Sequence, residues 1–198
     1  LNRQFIEIYG LQDELIPDIP PEEITILQKG EISFEDGTGL GENDPYLVIH
    51  NRKMVWHHDV IMKQLISYLV GCYMGRYSVD KPGLIIASQG EDLQSLGLDV
   101  ESLVNSFNST LVIDDDGIIP FIQEPDFFAD DMTECIQLAI RKLFGEANYY
   151  ENLKYINDTL GCELREYLFK DFYADHVQMY SKRPIYWLFS SKMGDKKK

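Results

Sequence analysis

Cysteine is scarce in this 198-residue sequence, and the few cysteines are not paired. Cys72, Cys135 and Cys162 are an odd number at wide spacing, and none lies close to a histidine in the sequence. A disulfide framework needs paired cysteines, and a structural zinc site needs closely spaced Cys or His ligands. Both are therefore disfavoured, and the pattern is typical of a chain in a reducing cytoplasm.

Long apolar runs are also absent. No window of about 18 apolar residues exists, and no basic-then-apolar leader opens the chain. Neither a membrane-spanning helix nor a secretory signal is predicted. The sequence begins with Leu1 rather than Met, inside an amphipathic helix pattern. We therefore expect a piece excised from a longer protein.

Basic residues are few: 18 Lys and Arg stand against 33 Asp and Glu, a net charge of −15. Phosphates repel such a chain unless its cations are gathered in one place, so a free-standing DNA-binding protein is disfavoured. Hydrophobic residues make up 44% and aromatic residues 12%, too much for a disordered acidic tail. The composition predicts a folded acidic chain of one domain or two small ones.

The hydrophobic pattern predicts helices in three parts of the chain. Residues 1–15 carry apolar side chains at helical spacing and are predicted to end an entering helix. Residues 59–77 are apolar over more than half of a helix surface, which predicts a central, largely buried helix. Residues 126–180 contain three helical patterns separated by Gly145 and Gly161 at cap-like positions. Most of the chain is therefore predicted to be helical.

Short strands or loops are predicted elsewhere. From Glu23 to about Asn51, short apolar runs alternate with Gly, Asn and Asp, which predicts short strands or loops. Residues 28–58 are predicted to form an irregular insertion. Apolar runs predict strands at 84–87 and 185–189, and residues 111–121 predict a hairpin around the turn Asp114–Gly117. The predicted fold class is α+β, mostly helical with a few short strands or hairpins, in a single domain.

One short motif, Asn43-Asp44-Pro45-Tyr46, resembles the Asn/Asp-Pro-Pro-Tyr loop with which amino-methyltransferases hold a flipped base. It has one proline instead of two. The glycines of Gly39-Leu40-Gly41 precede it too closely to belong to a separate cofactor-binding unit. A turn is therefore the preferred interpretation.

Acidic and histidine clusters do not predict a metal site. Residues Asp114–Gly117 lack the alternating carboxylates and the later glutamate of a calcium loop. His57 and His58 are adjacent, so their side chains diverge. Helix capping accounts for a second acidic cluster, which comprises Asp126, Asp130, Asp131 and Glu134. We assign no catalytic, cofactor-binding or metal-ligating residue.

The basic residues gather near the C-terminus. Residues 1–175 hold 32 acids and 12 bases, whereas residues 176–198 hold one acid and six bases. Basic side chains bind phosphates, and nearby aromatic rings can stack on bases. The candidate DNA-proximal residues are Lys182, Arg183 and Tyr186. A solvated terminus is the alternative for the lysine tail, while Trp187 and Phe189 are predicted to lie in the core.

Four segments resemble one known family. They are LNRQFIEIYGLQDEL (1–15), ISYLVGCYMGRYSVD (66–80), GIIP (117–120), and YLFKDF (167–172) running on to KRPIYWLFS (182–190). In this order they resemble the region downstream of the catalytic core in PglX-type adenine-specific DNA methyltransferases of BREX phage-exclusion systems and related restriction-modification enzymes. The matches span most of the chain and are far more specific than a four-residue motif.

The resemblance implies a parent enzyme that transfers a methyl group from S-adenosylmethionine to N6 of an adenine extruded from the duplex. In that family the cofactor and base-binding loops lie upstream of the matching region, so no catalytic residue is carried over. The resemblance implies a non-catalytic segment between the methyltransferase core and the target-recognition part. We expect residues 1–175 to form a rigid spacer and residues 181–198 a basic exit segment toward the DNA.

Two other functions remain open. An acidic protein-interaction module could dock another subunit of the defence system, and an exposed apolar patch beside Tyr149-Tyr150 or Tyr167 would favour it. An independent small enzyme ranks last, because no nucleophile, base or metal set assembles from the sequence.

Overall fold

The structure is a computed structural model. The residues that it describes are 2–15, 30–36, 47–48, 52–80, 83–86, 111–114, 116–122 and 130–189. Six α-helices and three short β-strands occur in these ranges. The predicted α+β class, mostly helical with a few short strands, is therefore confirmed. The chain divides into two compact units, residues 1–61 and 62–198, and each is described separately.

The first unit begins with helix α1, Asn2–Tyr9. It is shorter than the helix predicted over residues 1–15, because Gly10 adopts a φ of 68° and ends it. A left-handed residue cannot continue a right-handed helix, and glycine occupies this conformation without a Cβ clash. Residues 11–15 then form a turn in which the N–H of Leu15 donates to the carbonyl of Leu11 at 2.9 Å.

A three-stranded antiparallel sheet follows, with strands β1 (Ile32–Asp36), β2 (Leu47–Val48) and β3 (Arg52–Trp56) in the order β1-β3-β2. Strand β2 lies in the stretch that was predicted to form short strands or loops. The three strands fall within residues 28–58, and the prediction that these residues are an insertion stays a prediction. The register pairs Ile32 with Trp56 and Phe34 with Met54. These apolar cross-strand pairs lie on one face of the sheet, which is a stabilising arrangement in antiparallel strands.

Helix α2, His58–Tyr73, is present where a central helix was predicted over residues 59–77. The chain leaves the helix near Gly75, whose φ of 76° is left-handed. An added Cβ there would also lie 2.7 Å from Cδ1 of Ile86, whose side-chain end would have to move, so the left-handed φ is the main reason for the glycine. The C-terminal half of α2 is buried except at Tyr68, because most of its own side chains are apolar and lie on more than one side of the helix.

Four helices of the second unit lie in the predicted helical region 126–180. They are α3 (Met132–Phe144), α4 (Tyr149–Leu160), α5 (Leu164–Lys170) and α6 (Phe172–Met179), with a 3-10 turn at Glu146–Asn148. Gly145 and Gly161 are helix C-caps as predicted, with φ of 88° and 75°. The third predicted helix is in fact two, since α5 and α6 are separated at Asp171.

The core of the second unit joins α2 to these helices. Its buried apolar residues are Ile66, Leu69, Val70, Cys72, Tyr73, Leu111, Met132, Ile136, Ala139, Ile140, Tyr149, Ile156, Leu164, Tyr167, Leu168 and Phe172. Between elements, the Tyr73 hydroxyl donates to the Cys135 carbonyl at 2.7 Å, and Lys63 Nζ lies 3.0 Å from Asp175 Oδ2. Helix α2 is therefore held to both α3 and α6.

The N-terminus of α3 has a buried cap. Oδ1 of Asp131 accepts from the N–H groups of Thr133 at 3.0 Å and of Glu134 at 3.3 Å. The same oxygen lies 3.0 Å from Nη1 of Arg165, whose Nη2 binds Glu134 at 2.9 Å. The capping role predicted for this acidic cluster is confirmed at Asp131.

The strand prediction at 84–87 and the hairpin prediction at 111–121 are wrong for the residues that the structure describes. Within 84–87, the N–H groups of Ile85 and Ile86 donate to the carbonyls of Arg76 and Gly75 rather than to a neighbouring strand. Within 111–121, the N–H of Asp114 donates to the Tyr73 carbonyl at 2.9 Å. The Pro120 carbonyl accepts from the N–H of Met132 at 3.0 Å. The backbone groups of these segments therefore bind the end of α2, the turn after it and the start of α3, and no described strand pairs with them.

No helix in the described ranges is both long and apolar enough to cross a membrane.

Candidate functional site

A strained basic turn follows helix α6. Ser181 and Lys182 have φ of 53° and 64°, in the left-handed region that residues with a Cβ rarely adopt. Backbone bonds fix the turn: the N–H of Lys182 donates to the Val177 carbonyl at 2.7 Å, and that of Arg183 to the Tyr180 carbonyl at 2.9 Å. Left-handed non-glycine residues cost about 1–3 kcal/mol each and are concentrated at functional sites.

Both cations of this turn face solvent. Lys182 and Arg183 are exposed, and none of the ion pairs among the described residues involves either of them. Residues 176–189 contain no Asp or Glu. The turn therefore presents positive charge on a chain that is otherwise strongly acidic, which is the local arrangement that a phosphate-binding surface needs.

His176 anchors the segment that follows the turn. Its ring is 1% exposed, and its Nε2 accepts from the N–H of Ile185 at 3.2 Å. Because that nitrogen accepts, the neutral ring must carry its proton on Nδ1, which is buried without a described partner. Desolvation by burial lowers the pKa of His176. The neutral form is thus the one that the fold accommodates.

Tyr186 is packed inward. Its ring stacks on His176 with centroids 5.0 Å apart and an interplanar angle of 23°, and its buried hydroxyl lies near the position that a Cβ on Gly71 would occupy. Burial raises the pKa of Tyr186. Of the three predicted DNA-proximal residues, Lys182 and Arg183 are therefore exposed together, whereas Tyr186 packs against the core. Their contact with DNA stays a prediction.

Two aromatic residues beside this anchor are exposed, and the prediction that they lie in the core is wrong. Trp187 is 76% and Phe189 is 93% exposed, with Leu188 half exposed between them. The strand predicted over 185–189 is absent too. Tyr186 is the aromatic residue of this segment that occupies the position against His176. Sequence hydrophobicity alone does not reveal this, because Tyr186 and Trp187 are both large aromatic residues with one polar group.

The remaining candidate residues either lie outside the described residues or cap a turn. The motif 43–46, Asp126 and residues 190–198 lie outside the described residues. The turn near Asp114 is present, since the N–H of Ile118 donates to Asp116 Oδ1 at 2.7 Å and to Asp114 Oδ2 at 3.2 Å. These carboxylates cap a turn, and no group of three or more potential metal ligands occurs in the ranges that the structure describes.

The tyrosines proposed to mark an interaction patch are mostly buried. Tyr149 and Tyr167 are buried. The Tyr149 hydroxyl donates to Gln137 Oε1 at 2.8 Å, and the Arg141 guanidinium lies 3.5 Å from its ring centroid. Tyr150 alone of the three is exposed, at 78%. The apolar side chains exposed near it in the sequence are Phe144 at 46% and Tyr155 at 45%, so the feature that would favour an interaction module rests on Tyr150 and these neighbours.

Acidification is expected to destabilise the chain through His176. Its folded pKa is lowered relative to the unfolded value of 6.5, so its contribution to stability is complete above that pH and is lost as the pH falls through the folded pKa. Urea unfolding followed by circular dichroism at pH 7.5 and 5.5 should show a lower midpoint at pH 5.5. In the His176→Gln variant the shift should be smaller. Equal shifts in both proteins would contradict the role of this imidazole.

The chain is similar in sequence to known adenine-specific methyltransferases. It is 38% identical, over 148 aligned positions and 68% of its length, to the adenine-specific methyltransferase BrxX of Escherichia coli O9:H4 (strain HS). It is 33% identical, over 202 aligned positions and 96% of its length, to the adenine-specific methyltransferase PglX of Lacticaseibacillus casei (strain Zhang). No family model matches the chain. The chain spans 12% and 13% of the lengths of these two relatives. Since both relatives are aligned along most of this sequence, the predicted resemblance is confirmed, and the chain belongs to the PglX-type family of adenine-specific methyltransferases.

Proposed function

We propose that this chain is a non-catalytic positioning domain of an adenine-specific (N6) DNA methyltransferase acting in BREX phage defence or restriction-modification. The parent enzyme would use S-adenosylmethionine and DNA in the cytoplasm, and the reacting groups would lie in another part of it. The observation that carries the proposal is the exposed basic turn at Lys182 and Arg183, on an acidic chain of this family.

The structure of the second unit suits a rigid spacer. Helix α2 is joined to α6 by the Lys63–Asp175 ion pair, and α5 is joined to α3 by the buried pair of Arg165 and Asp131. The basic turn is attached to this scaffold through His176 on α6. Charges presented from packed helices keep a fixed position, which a positioning role requires.

The acidic remainder of the chain contributes to the same role. Residues 1–175 hold 32 acids and 12 bases, so most of the surface repels a duplex and discourages binding in unproductive orientations. DNA would be tolerated only near the basic turn. The proposal therefore predicts that affinity depends on a few cations rather than on a broad basic surface.

Charge reversal in the full-length enzyme tests this function. Lys182→Glu combined with Arg183→Glu should weaken duplex binding about tenfold or more, and should reduce the slope of log affinity against log salt by about 2, since each lost phosphate contact contributes about 0.9. Fluorescence anisotropy with a labelled duplex between about 50 and 200 mM salt measures both quantities.

The matched control is Lys154→Glu combined with Lys170→Glu. It makes the same change in net charge at two exposed lysines on α4 and α5. The control should leave the salt slope close to that of the unchanged enzyme. Equal effects of the two double variants, or unchanged binding of the first at low salt, would refute a phosphate-contacting turn.

A second proposed function is an acidic interaction module that docks another subunit of the defence system. The observation that favours it is Tyr150, which is exposed on α4 and preceded by the largely exposed carboxylate of Glu146. Tyr150→Ser in the full-length enzyme should then reduce co-purification with the system's other subunits while leaving DNA affinity unchanged. An unchanged set of co-purified subunits would eliminate this module.

A further inference from the structure

We propose that Trp187 and Phe189 form a stacking platform for unpaired or unstacked DNA bases, on a strand whose phosphates contact Lys182 and Arg183. The phosphate contacts rest on the proposed function, and the stacking goes beyond it. We call residues 182–189 the stacking segment. Its two rings are 76% and 93% exposed, and Leu188 between them is half exposed.

Three consecutive exposed apolar residues call for a partner. Single exposed apolar side chains are ordinary on protein surfaces, but a contiguous group marks a binding surface. The rings of Trp187 and Phe189 are the largest of this group. Their exposure is not a sign of an unfolded end, because the neighbouring residues Ile185 and Tyr186 are fixed to His176 by a hydrogen bond and a ring stack.

The charge of the residues around the two rings indicates the chemistry of the partner. Residues 176–189 include two cations and no carboxylate, so the surface beside the rings attracts anions. A second copy of this chain would bring a net charge of −15 to a protein of the same charge, which opposes self-association. A nucleic-acid strand offers both a phosphate for the cations and a flat π-face for the rings.

The spacing along the chain allows both kinds of contact at once. Lys182 and Trp187 are five residues apart, which limits their Cα separation to roughly 17 Å. That length corresponds to the rise of about five nucleotides in a B-form strand. The left-handed turn at Ser181 and Lys182 fixes the start of the segment, and Tyr186 fixes its middle. Phosphate and base contacts could therefore fall on the same short stretch of DNA.

The state of the DNA follows from the geometry of stacking. Inside a duplex both faces of a base are covered by neighbours, so a ring can stack only at an end, in a single strand, or where a base has been extruded. Enzymes that modify a base extrude it and leave its neighbours partly unstacked. The stacking segment is thus expected to prefer single-stranded DNA, or a duplex with an unpaired base, over a regular duplex.

Tryptophan fluorescence provides a direct readout. The chain has two tryptophans, Trp56 and Trp187, and a Trp56→Phe variant of the full chain leaves emission from Trp187 alone. Titration with a 12-nucleotide single strand at about 50 mM salt should quench this emission, because a stacked base contacts the indole face. A regular duplex of the same sequence should quench it less. No quenching by either DNA would overturn the stacking platform.

Substitutions of Trp187 distinguish base stacking from nonspecific apolar contact with the DNA. In binding experiments with the same single strand, Trp187→Ala should lower affinity roughly five- to a hundred-fold, the range expected for the loss of one stacked base. Trp187→Phe should retain most of the affinity, and Trp187→Leu should not, because leucine keeps apolar cover but has no π-face. The matched control is Tyr150→Ala, which removes another exposed ring outside the segment and should have no effect.

The salt dependence distinguishes this proposal from the positioning function. Trp187→Ala should leave the salt slope unchanged, whereas the Lys182 and Arg183 reversals should flatten it. If the reversals flatten the slope and Trp187→Ala leaves affinity unchanged, the platform is wrong and the phosphate contact stands. If Trp187→Ala instead abolishes self-association of the chain without changing DNA affinity, the rings bind a second copy and the platform is again wrong.

Discussion

Replacing Asp131 by alanine is expected to destabilise the chain by about 3–5 kcal/mol, the cost of breaking a buried ion pair from one side. Asp131 is 1% exposed and lies 3.0 Å from the Arg165 guanidinium. Its loss leaves a largely buried cation with a weaker set of partners, and it also frees the N–H groups of Thr133 and Glu134 at the start of α3. Equilibrium urea unfolding followed by circular dichroism measures the change.

Two further variants separate the cap from the charge. Asp131→Asn keeps an oxygen that can accept from the α3 N–H groups but removes the negative charge, so it should cost less than Asp131→Ala. Lys154→Ala breaks a solvent-exposed i,i+4 pair with Asp158 and should cost less than about 0.5 kcal/mol. A loss below about 1 kcal/mol for Asp131→Ala would contradict a structural ion pair at this position.

The capping role of Asp131 could be predicted from the sequence, but its pairing with Arg165 could not. A carboxylate just before an amphipathic pattern is a local signal, so the capping role of Asp131 was predictable. Its partner Arg165 comes from α5, and the 3.2 Å bond from Nη1 of Arg165 to the Ile122 carbonyl joins a third segment. Such contacts depend on how helices pack, and no local pattern at Arg165 distinguishes it from a solvated arginine.

The incorrect strand predictions have the opposite cause: the local pattern of a strand is present, but the contacts that the whole fold provides are different. Apolar β-branched runs at 84–87 and 111–121 carry the local pattern of strands, yet in the described residues their backbone groups bind the end of α2, the turn after it and the start of α3. A strand requires a partner edge, and the partner is a property of the whole fold. The sheet within 28–58 formed because Ile32 and Phe34 do meet apolar partners across β3.

The candidate site shows the same limit. The basic turn was predictable, because the surplus of cations after residue 176 is a property of composition. Which of its aromatic residues is buried was not predictable, since Tyr186 packs on His176 while Trp187 is exposed. Only the folded position of His176, on the buried side of α6, decides which ring has a place in the core.

Gly71→Ala is expected to destabilise the chain by about 1–3 kcal/mol, although helix propensity alone would favour alanine by about 1 kcal/mol. Gly71 lies inside α2. An added Cβ would lie 2.7 Å from Cε2 of Tyr77, closer still to its Cδ2, and 2.9 Å from the hydroxyl oxygen of Tyr186. Both rings would have to move, and the Tyr77 and Tyr180 hydroxyls, 3.2 Å apart, restrict that movement. Unfolding in urea gives the sign of the change.

A double-mutant cycle identifies the physical cause. In a Tyr77→Ala background the Cβ at residue 71 has room on one side, so Gly71→Ala should cost less there, or even stabilise the chain through helix propensity. An unchanged cost would mean that crowding against Tyr77 is not the reason for the glycine. Because Tyr186 borders the same space and precedes Trp187, a Gly71→Ala protein that remains folded should also show altered Trp187 emission in the Trp56→Phe background. Such a change would show that the packing of Tyr186 couples Gly71 in α2 to Trp187 after α6.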